Sequence, residues 1–403
     1  MVSLKRNANR GLIKSMIKKN NACKICDSKN IKKILRFKNF PLTGIFTKNK
    51  SQKANIFNLN LYICNECSHL QLGSFVSNKI LYNKKYANRT SVSHLSEQAF
   101  FFLKEFIFKN TKNYKLGNIL EIGCNDITML KKFSRYSKSA VGIDPIWKGK
   151  KKFKRGKVSV IGKYIEEIDF QKDVGFQADT VISTHNLEHI ENPKKVLSRL
   201  VKNLKDDAII FIEVPDASSM IKNLRFDQIF HQHYQYFNLN SLKNLAEQIG
   251  YEVFDHAINK EFWGGSLLTA IRKKKSQNKL ILKKIKNFDK LIINKFSKFK
   301  EKYLKLSEKI VSLKSNIYGY GAGQMTPSFS YHLKNNFKKI INIIDDNKYR
   351  NNFYYPELEP QIQFAKRHAL NKDNYYLITA LDGTKAIKKK LQNNKINKII
   401  SAL

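Results

Sequence analysis

No stretch of the 403-residue chain approaches the run of about 18 apolar residues that a membrane helix requires, so a helical span is excluded. The basic start, with Lys5, Arg6, Arg10, Lys14, Lys18 and Lys19, lacks the apolar core and small-residue cleavage site of a secretory signal. A cytoplasmic location is the expectation. Acid is scarce: 32 Asp and Glu stand against 75 Lys and Arg, a net charge of +43. Such an excess ordinarily points to a polyanionic partner. Here Lys is spread through every segment alongside Asn and Ile, and no basic stripe is interleaved with base-stacking aromatics. The pattern reads as a compositional bias, and nucleic acid is not the expected partner; an RNA-binding module remains the competing reading from another class. With 42% hydrophobic and 12% aromatic residues, the chain has material for a sizeable core and length for two or three domains.

Cysteine is sparse but not scattered. Four of five fall in two pairs, Cys23 with Cys26 and Cys64 with Cys67, separated by 37 residues. Each Cys-x-x-Cys turn can point two thiolates at one centre, and two such turns complete the tetrahedral set that Zn²⁺ takes in closed structural sites. Four thiolates leave no position for water, so the metal is expected to hold a module over 20–85 together rather than to catalyse. The alternative is four reduced thiols or two redox pairs. His69 could replace a sulfur, but all four Cys are present, and Cys124 reads as a packing residue.

Beyond residue 118 the pattern changes to short apolar runs alternating with helical stretches. Segments 118–122, 140–143, 158–161, 180–183 and 209–214 read as buried strands of a doubly wound α/β sheet. The first ends in Glu121-Ile122-Gly123-Cys124-Asn125-Asp126 before a helix near Thr128, a turn that lets backbone approach a ligand. Asp144 ends the second strand, 21 residues beyond Gly123, where a carboxylate can accept the hydroxyls of an adenosine ribose. A dinucleotide-binding fold shares these features. The wording of the loop, however, resembles motif I of methyltransferases that use S-adenosylmethionine (SAM). Residues 183–190, Ser-Thr-His-Asn-Leu-Glu-His-Ile, resemble the fourth-strand segment of the class I enzymes, which adds Asn186 to the expected cofactor residues Glu121, Gly123, Asn125, Asp126 and Asp144. His185 and His189 read as ordinary loop and cap residues.

Taken together from Cys23 to about Leu391, the chain resembles the sugar C-methyltransferases that act on nucleotide-linked 4-keto deoxysugars. The segment 226–237, Phe-Asp-Gln-Ile-Phe-His-Gln-His-Tyr-Gln-Tyr-Phe, is similar to the family's Tyr-His-Glu-His active-site segment with its aromatic pair. Trp263-Gly264-Gly265-Ser266-Leu267 is similar to the Gly-Gly-Ser strand that follows, and 318–323, Tyr-Gly-Tyr-Gly-Ala-Gly, opens a C-terminal α/β domain. The resemblance implies a class I SAM core over 90–260, a Rossmann-like sugar-nucleotide domain over 261–403, SAM as cofactor and structural zinc. It also implies a nucleotide-linked sugar as partner. Methylating a ring carbon requires loss of a proton next to the keto group, and the resemblance makes His233 the base with His231 as neighbour or orienting group. Phe230 and Gln232 depart from the family's Tyr and Glu; neither can do what the replaced group does. Three readings follow: C-methylation with His233 alone, transfer to a sugar oxygen or nitrogen, or a changed acceptor. A SAM-binding scaffold without catalysis is the third class.

The stretch 273–313 carries an apolar stripe, Leu280 through Leu313, expected as one or two long helices between domains. Strands are expected at 317–320, 340–344 and 375–380. Gly321 and Gly323 form a second nucleotide-shaped loop, with Asp345 24 residues past Gly321 as its ribose carboxylate. Phe230, Gln232 and Tyr236 complete the expected acceptor contacts.

Overall fold

The computed structural model describes residues 17–77, 81, 94–111, 115–150, 153–275, 281–334 and 336–403. The basic start up to residue 16, and Leu280 of the apolar stripe, lie outside the described residues.

The N-terminal module is a hairpin-rich unit. Strands β1 (Ile17–Lys19) and β5 (Ser74–Val76) pair antiparallel, while β2 (Ile31–Pro41), β3 (Ile56–Cys64) and β4 (Leu70–Leu72) form a meander. Its fourth strand is borrowed: β12 (Gln235–Tyr236), from the segment that resembles the active site, pairs with β4 through Gln235 opposite Gln71.

After helix α1 (His94–Lys109) comes an eight-stranded sheet. In chain order it contains β6 (Gly117–Ile122), helix α2 (Thr128–Ser134), β7 (Ser137–Ile143), β8 (Phe153–Arg155), β9 (Val158–Ile161) and β10 (Ala178–Thr184). Helix α3 (Pro193–Leu200), β11 (Leu204–Pro215), helix α4 (Ala217–Lys222), β12, helix α5 (Leu239–Gln248), β13 (Tyr251–Asn259) and β14 (Ser266–Lys273) follow. The spatial order is β13-β14-β11-β10-β6-β7-β9-β8, parallel from β11 to β9, with β14 inserted antiparallel between β13 and β11. The order reverses between β6 and β10, the switch point at whose carboxyl ends such sheets bind ligands. All five expected strands are present. The expected boundary at 260 is not: β14 is hydrogen-bonded along β11 from Ile209–Arg272 to Pro215–Ser266, so the core runs through Lys273.

Local chemistry accounts for the helix starts. Asn192 accepts from Lys195 N–H ahead of Pro193, Asp216 accepts from Ser218 and Ser219 N–H, and Asn238 and Ser241 form a reciprocal capping box for α5.

Helix α6 (Phe288–Ser312) then leads to a parallel sheet of β15 (Ile317–Tyr320), β16 (Ile340–Asp345), β17 (Gln361–Phe364), β18 (Tyr375–Ile378) and β19 (Ile399–Ile400), with helices α7 (Thr326–His332) and α8 (Thr384–Asn393). Its order, β17-β16-β15-β18-β19, has a second switch point between β15 and β18. The apolar stripe is helical only from Phe288. Upstream, the described chain is tied down by non-local bonds: Asn240 and Asn244 amides donate to Lys283 O, and Ile285 N–H donates to Ser68 Oγ. Such bonds override a helical pattern.

One hydrophobic core joins the module (Leu35, Phe37, Phe40), α4, the 226–236 segment, α6 (Phe299, Tyr303) and the C-terminal sheet. Each buried Phe or Leu contributes roughly 1.5–3 kcal/mol, so the three units stabilise one another. No helix among the described residues is long and apolar enough to cross a membrane.

Candidate active site

The four expected zinc ligands converge. Sγ atoms of Cys23 and Cys67 lie 3.5 Å apart, those of Cys26 and Cys64 3.6 Å, and those of Cys26 and Cys67 3.6 Å. Zn–S bonds of about 2.3 Å at tetrahedral angles set sulfur–sulfur edges of about 3.8 Å, so the cluster fits a closed Zn²⁺ site. His69 is not part of it; it is fully buried and its Nε2 lies 2.9 Å from Gln235 Oε1. Cys124 packs against Gly142, as its reading as a packing residue requires.

The cofactor residues gather at the first switch point. Gly123, at φ +79°, follows β6, and a Cβ there would meet the Asn186 amide at 2.6 Å, so only glycine fits. Asp144 closes the loop: its Oδ2 accepts from Asn125 N–H and its Oδ1 from Ile146 N–H, both at 2.9 Å. Asp126 Oδ1 accepts from Thr128 N–H at the start of α2. Trp147, which sequence reasoning did not single out, crosses the loop and donates from Nε1 to Asn125 O. Around this cradle two buried acceptors, Glu121 Oε2 and Asn186 Oδ1, find no hydrogen-bond partner among the described residues. Burial, then Asp144 and Asp126, push the Glu121 carboxyl up to about 8. Orphaned acceptors around a glycine turn fit SAM, whose amine, ribose and adenine supply donors.

The site around His233 is built from four strand ends, β10, β11, β12 and β14. His233 is 4% exposed, its ring 4.1 Å from Phe230, 4.9 Å from His189, and 6.2 Å from both Tyr236 and Trp263. Burial, and then His189, hold His233 well below the usual imidazole range, so it is the free base at neutral pH. Among the described residues no ring nitrogen of His231 hydrogen-bonds to it. The residue expected to orient His233 packs instead between Phe40 and Phe57 of the module, with neither ring nitrogen hydrogen-bonded among the described residues. Burial lowers it to about 3.

Gln232 also faces the module: its Nε2 donates to Thr43 O and its Oε1 accepts from Thr43 Oγ1. A glutamate there could not donate to that carbonyl, which gives the departure at 232 a physical cause. Tyr236 uses its hydroxyl on the backbone of Phe230, accepting from the N–H and donating to the carbonyl.

A second group of residues was read from sequence only as loop and cap. His185, at φ 46°, has its Nδ1 3.6 Å from Glu188 Oε1 and its Nε2 3.7 Å from Glu213 Oε1 and 3.3 Å from Ser266 Oγ. Burial alone would lower it, but the Glu188 and Glu213 carboxylates hold it up to about 10, an imidazolium. The pairing acts in the other direction on Glu188, held at about 2 against burial by His185. His189 Nδ1 lies 2.7 Å from Gln232 O. A carboxylate inside the apolar run 209–214 was the available signal for Glu213, since acids are rarely buried without a partner.

The third group opens onto a cleft at the second switch point, lined by Gly44, Phe46, Trp263, Gly323, Arg350 and Asp382. Gly321, at φ +94°, leaves no room for a side chain beside Ala380. Asp345 is engaged elsewhere: Oδ2 accepts from Ala322 N–H at 2.6 Å and Oδ1 from Asn347 N–H at 2.8 Å. It shapes the loop, and Arg350 and Asp382 supply the charge in the cleft. Arg225 ties the two sheets together, with Nη2 2.9 Å from Asp227 and 2.8 Å from Asp382. Asn125, Ile127, His185 and Trp263, all non-glycine residues at positive φ, flank these sites, where strain is commonly retained for function.

Residues 93–256 match the family described as a methyltransferase domain, and residues 23–82 the family described as a putative zinc binding domain. The C-methyltransferase NovU of Streptomyces niveus is 24% identical over 259 residues, 61% of this chain and 59% of that relative. The chain thus covers less than two thirds of the relative's length. The fold is also similar to N-methyltransferase NodS of Bradyrhizobium japonicum with S-adenosyl-L-homocysteine (13% identity, 46% of this chain and 90% of that one, TM-score 0.35). The plantazolicin methyltransferase BpumL is similar at 17% identity, over 44% of this chain and 86% of that one, TM-score 0.33. Two domain families are thus matched along this chain, a zinc-binding domain over 23–82 followed by a methyltransferase domain over 93–256.

Proposed function

We propose that this chain transfers a methyl group from SAM to a ring carbon of a nucleotide-linked keto sugar, with His233 as the base. The observation that carries the reading is the position of Trp263. Its ring lies 6.2 Å from His233 and 6.0 Å from His185, and it also lines the cleft with Gly323 and Arg350. A nucleotide held in that cleft, with its diphosphate facing Arg350, would present a sugar past Trp263 to His233. SAM, when bound, supplies the electrophilic methyl. Neutral His233 takes the proton next to the keto group, leaving an enolate whose carbon is the nucleophile. The burial that keeps His233 unprotonated also excludes water from the carbanion. Phe230, packed on the imidazole, restricts its orientation but offers no hydrogen bond to the enolate oxygen.

The test is mass spectrometry of a panel of nucleotide-linked 4-keto-6-deoxysugars incubated with protein and SAM. The proposal expects a gain of one methylene unit on one sugar, abolished in His233→Ala. Measurable SAM binding with no gain on any sugar would move the assignment to another acceptor, and a gain that survives His233→Ala would remove His233 as base.

A further inference from the structure

We infer that Glu188, His189 and His233 form a second metal site, which takes an exchangeable first-row divalent cation of the zinc kind and thereby inhibits the enzyme. One ligand atom from each of the three lies within 4.8 Å of the others. The Cys₄ cluster is a separate site built from the module alone.

Three observations support it. Glu188 is 1% exposed, yet neither carboxylate oxygen has a hydrogen-bond partner among the described residues; the His185 contact at 3.6 Å is an ion-pair distance. The His185 imidazolium offsets the charge from ion-pair distance but leaves the hydrogen-bonding capacity of both oxygens unused, which a coordinated cation would fill. His189 is oriented as a ligand. Its Nδ1 lies 2.7 Å from Gln232 O, and because a carbonyl only accepts, Nδ1 is the donor there and Nε2 is the ring nitrogen on the Glu188 side. That Nε2 is 3.9 Å from Glu188 Oε1. A backbone carbonyl on the distal nitrogen is the usual outer support of a metal-bound histidine. Finally, His233 lies in the same cluster, its ring 4.9 Å from that of His189. Metal bonds of about 2.0–2.2 Å bring donors to roughly 3.0–3.5 Å from one another, so the three need to close by roughly 1 Å.

Two imidazoles and one carboxylate suit Zn²⁺, Co²⁺, Ni²⁺ or Fe²⁺ rather than Mg²⁺ or Ca²⁺. Three protein ligands leave open positions, so this cation exchanges with solvent and chelators where the Cys₄ zinc does not. His185 competes for Glu188 Oε1 and weakens binding, while Oε2 is not engaged by it. The consequence for catalysis rests on the proposed role of His233: the lone pair that would accept the sugar proton is donated to the metal.

The test uses full-length protein carrying only its Cys-bound zinc, titrated with Co²⁺ and read by visible absorption and by elemental analysis after desalting. The expected result is one further equivalent in the unmodified protein, none in Glu188→Gln or His189→Asn, and Cys-bound zinc retained in both. That retained zinc, with an unchanged unfolding midpoint, shows the variants are folded. No further equivalent in the unmodified protein, or one that persists in both variants, overturns the site. In a second arm, Co²⁺ is added to protein turning over a sugar, then removed with a mild chelator. Loss and recovery of turnover support inhibition, and cobalt binding without loss of turnover overturns it. If no sugar is methylated, the binding arm still decides whether the site exists, so failure of the functional reading is distinguishable.

Discussion

Removing zinc should disable methyl transfer while sparing SAM binding, because the segment bearing His233 is held between the methyltransferase core, through His189 to Gln232 O and Tyr234 N–H to Glu188 O, and the zinc module on its other face. The anchors are Gln232 Nε2 to Thr43 O, Thr43 Oγ1 to Gln232 Oε1, Tyr234 hydroxyl to Val76 O, Leu72 N–H to Tyr234 O, and His69 with Gln235. At about 1 kcal/mol net each, these five bonds amount to about 5 kcal/mol, a factor above about 10³ in the population of the ordered segment. Structural zinc contributes about 10–16 kcal/mol of apparent binding free energy, comparable to a whole domain's stability, so the module does not keep its shape without it. SAM residues Gly123, Asp144 and Asn186 follow the ends of β6, β7 and β10 and take part in none of these bonds. Protein stripped with a strong chelator, or Cys64→Ser, is compared with zinc-loaded protein by calorimetric SAM titration and by turnover. SAM affinity should fall less than about tenfold while turnover falls by at least about 10³-fold. Full turnover in protein shown to contain no zinc would refute the reasoning.

Other expectations are more local. Gly123→Ala forces a side chain into positive φ and into Asn186, so SAM affinity measured by calorimetry should drop about 10- to 100-fold, from a strain of about 1–3 kcal/mol. Arg225→Met leaves the fully buried Asp227 without its guanidinium and should cost about 3–5 kcal/mol in denaturant unfolding, whereas Asp382→Asn, at a carboxylate 26% exposed, should cost much less. His332, caged by Phe37, Phe40, Phe299 and Tyr303, is lowered to about 3 by burial. Its folded value lies below its unfolded one, so the unfolded chain binds the extra proton; stability is full above about pH 6.5 and declines as pH falls toward 3. Between pH 6.5 and 5 this single group should remove about 2 kcal/mol, and His332→Leu should flatten the decline seen in unfolding midpoints.

Buried parallel strands are near-continuous apolar runs, which is why 118–122 through 209–214 could be read directly as a sheet. Paired cysteines and glycine turns were legible for a similar reason: each is a local device with few structural solutions. What stayed hidden depends on distant partners. The apolar stripe before Phe288 is held out of helix by Asn240, Asn244 and Ser68. β14 follows a turn of the expected kind but belongs to the methyltransferase sheet, a pairing that spacing alone does not specify. Within the 226–237 segment, residue types alone could not tell which histidine packs with His189 and Trp263 and which faces the module; Phe40 and Phe57, nearly 200 residues upstream, enclose His231. The His185 cluster draws on Glu188, Glu213 and Ser266 from three strand ends.

The most direct test of the account is proton exchange at the sugar carbon next to the keto group, followed by NMR in D₂O with the nucleotide-linked sugar and with S-adenosyl-L-homocysteine, which has no methyl group to transfer, in place of SAM. The account predicts enzyme-dependent exchange at one ring position, abolished in His233→Ala and retained in His231→Ala if that variant folds. Exchange that persists in His233→Ala, or methyl transfer to a sugar oxygen without exchange at carbon, would contradict it.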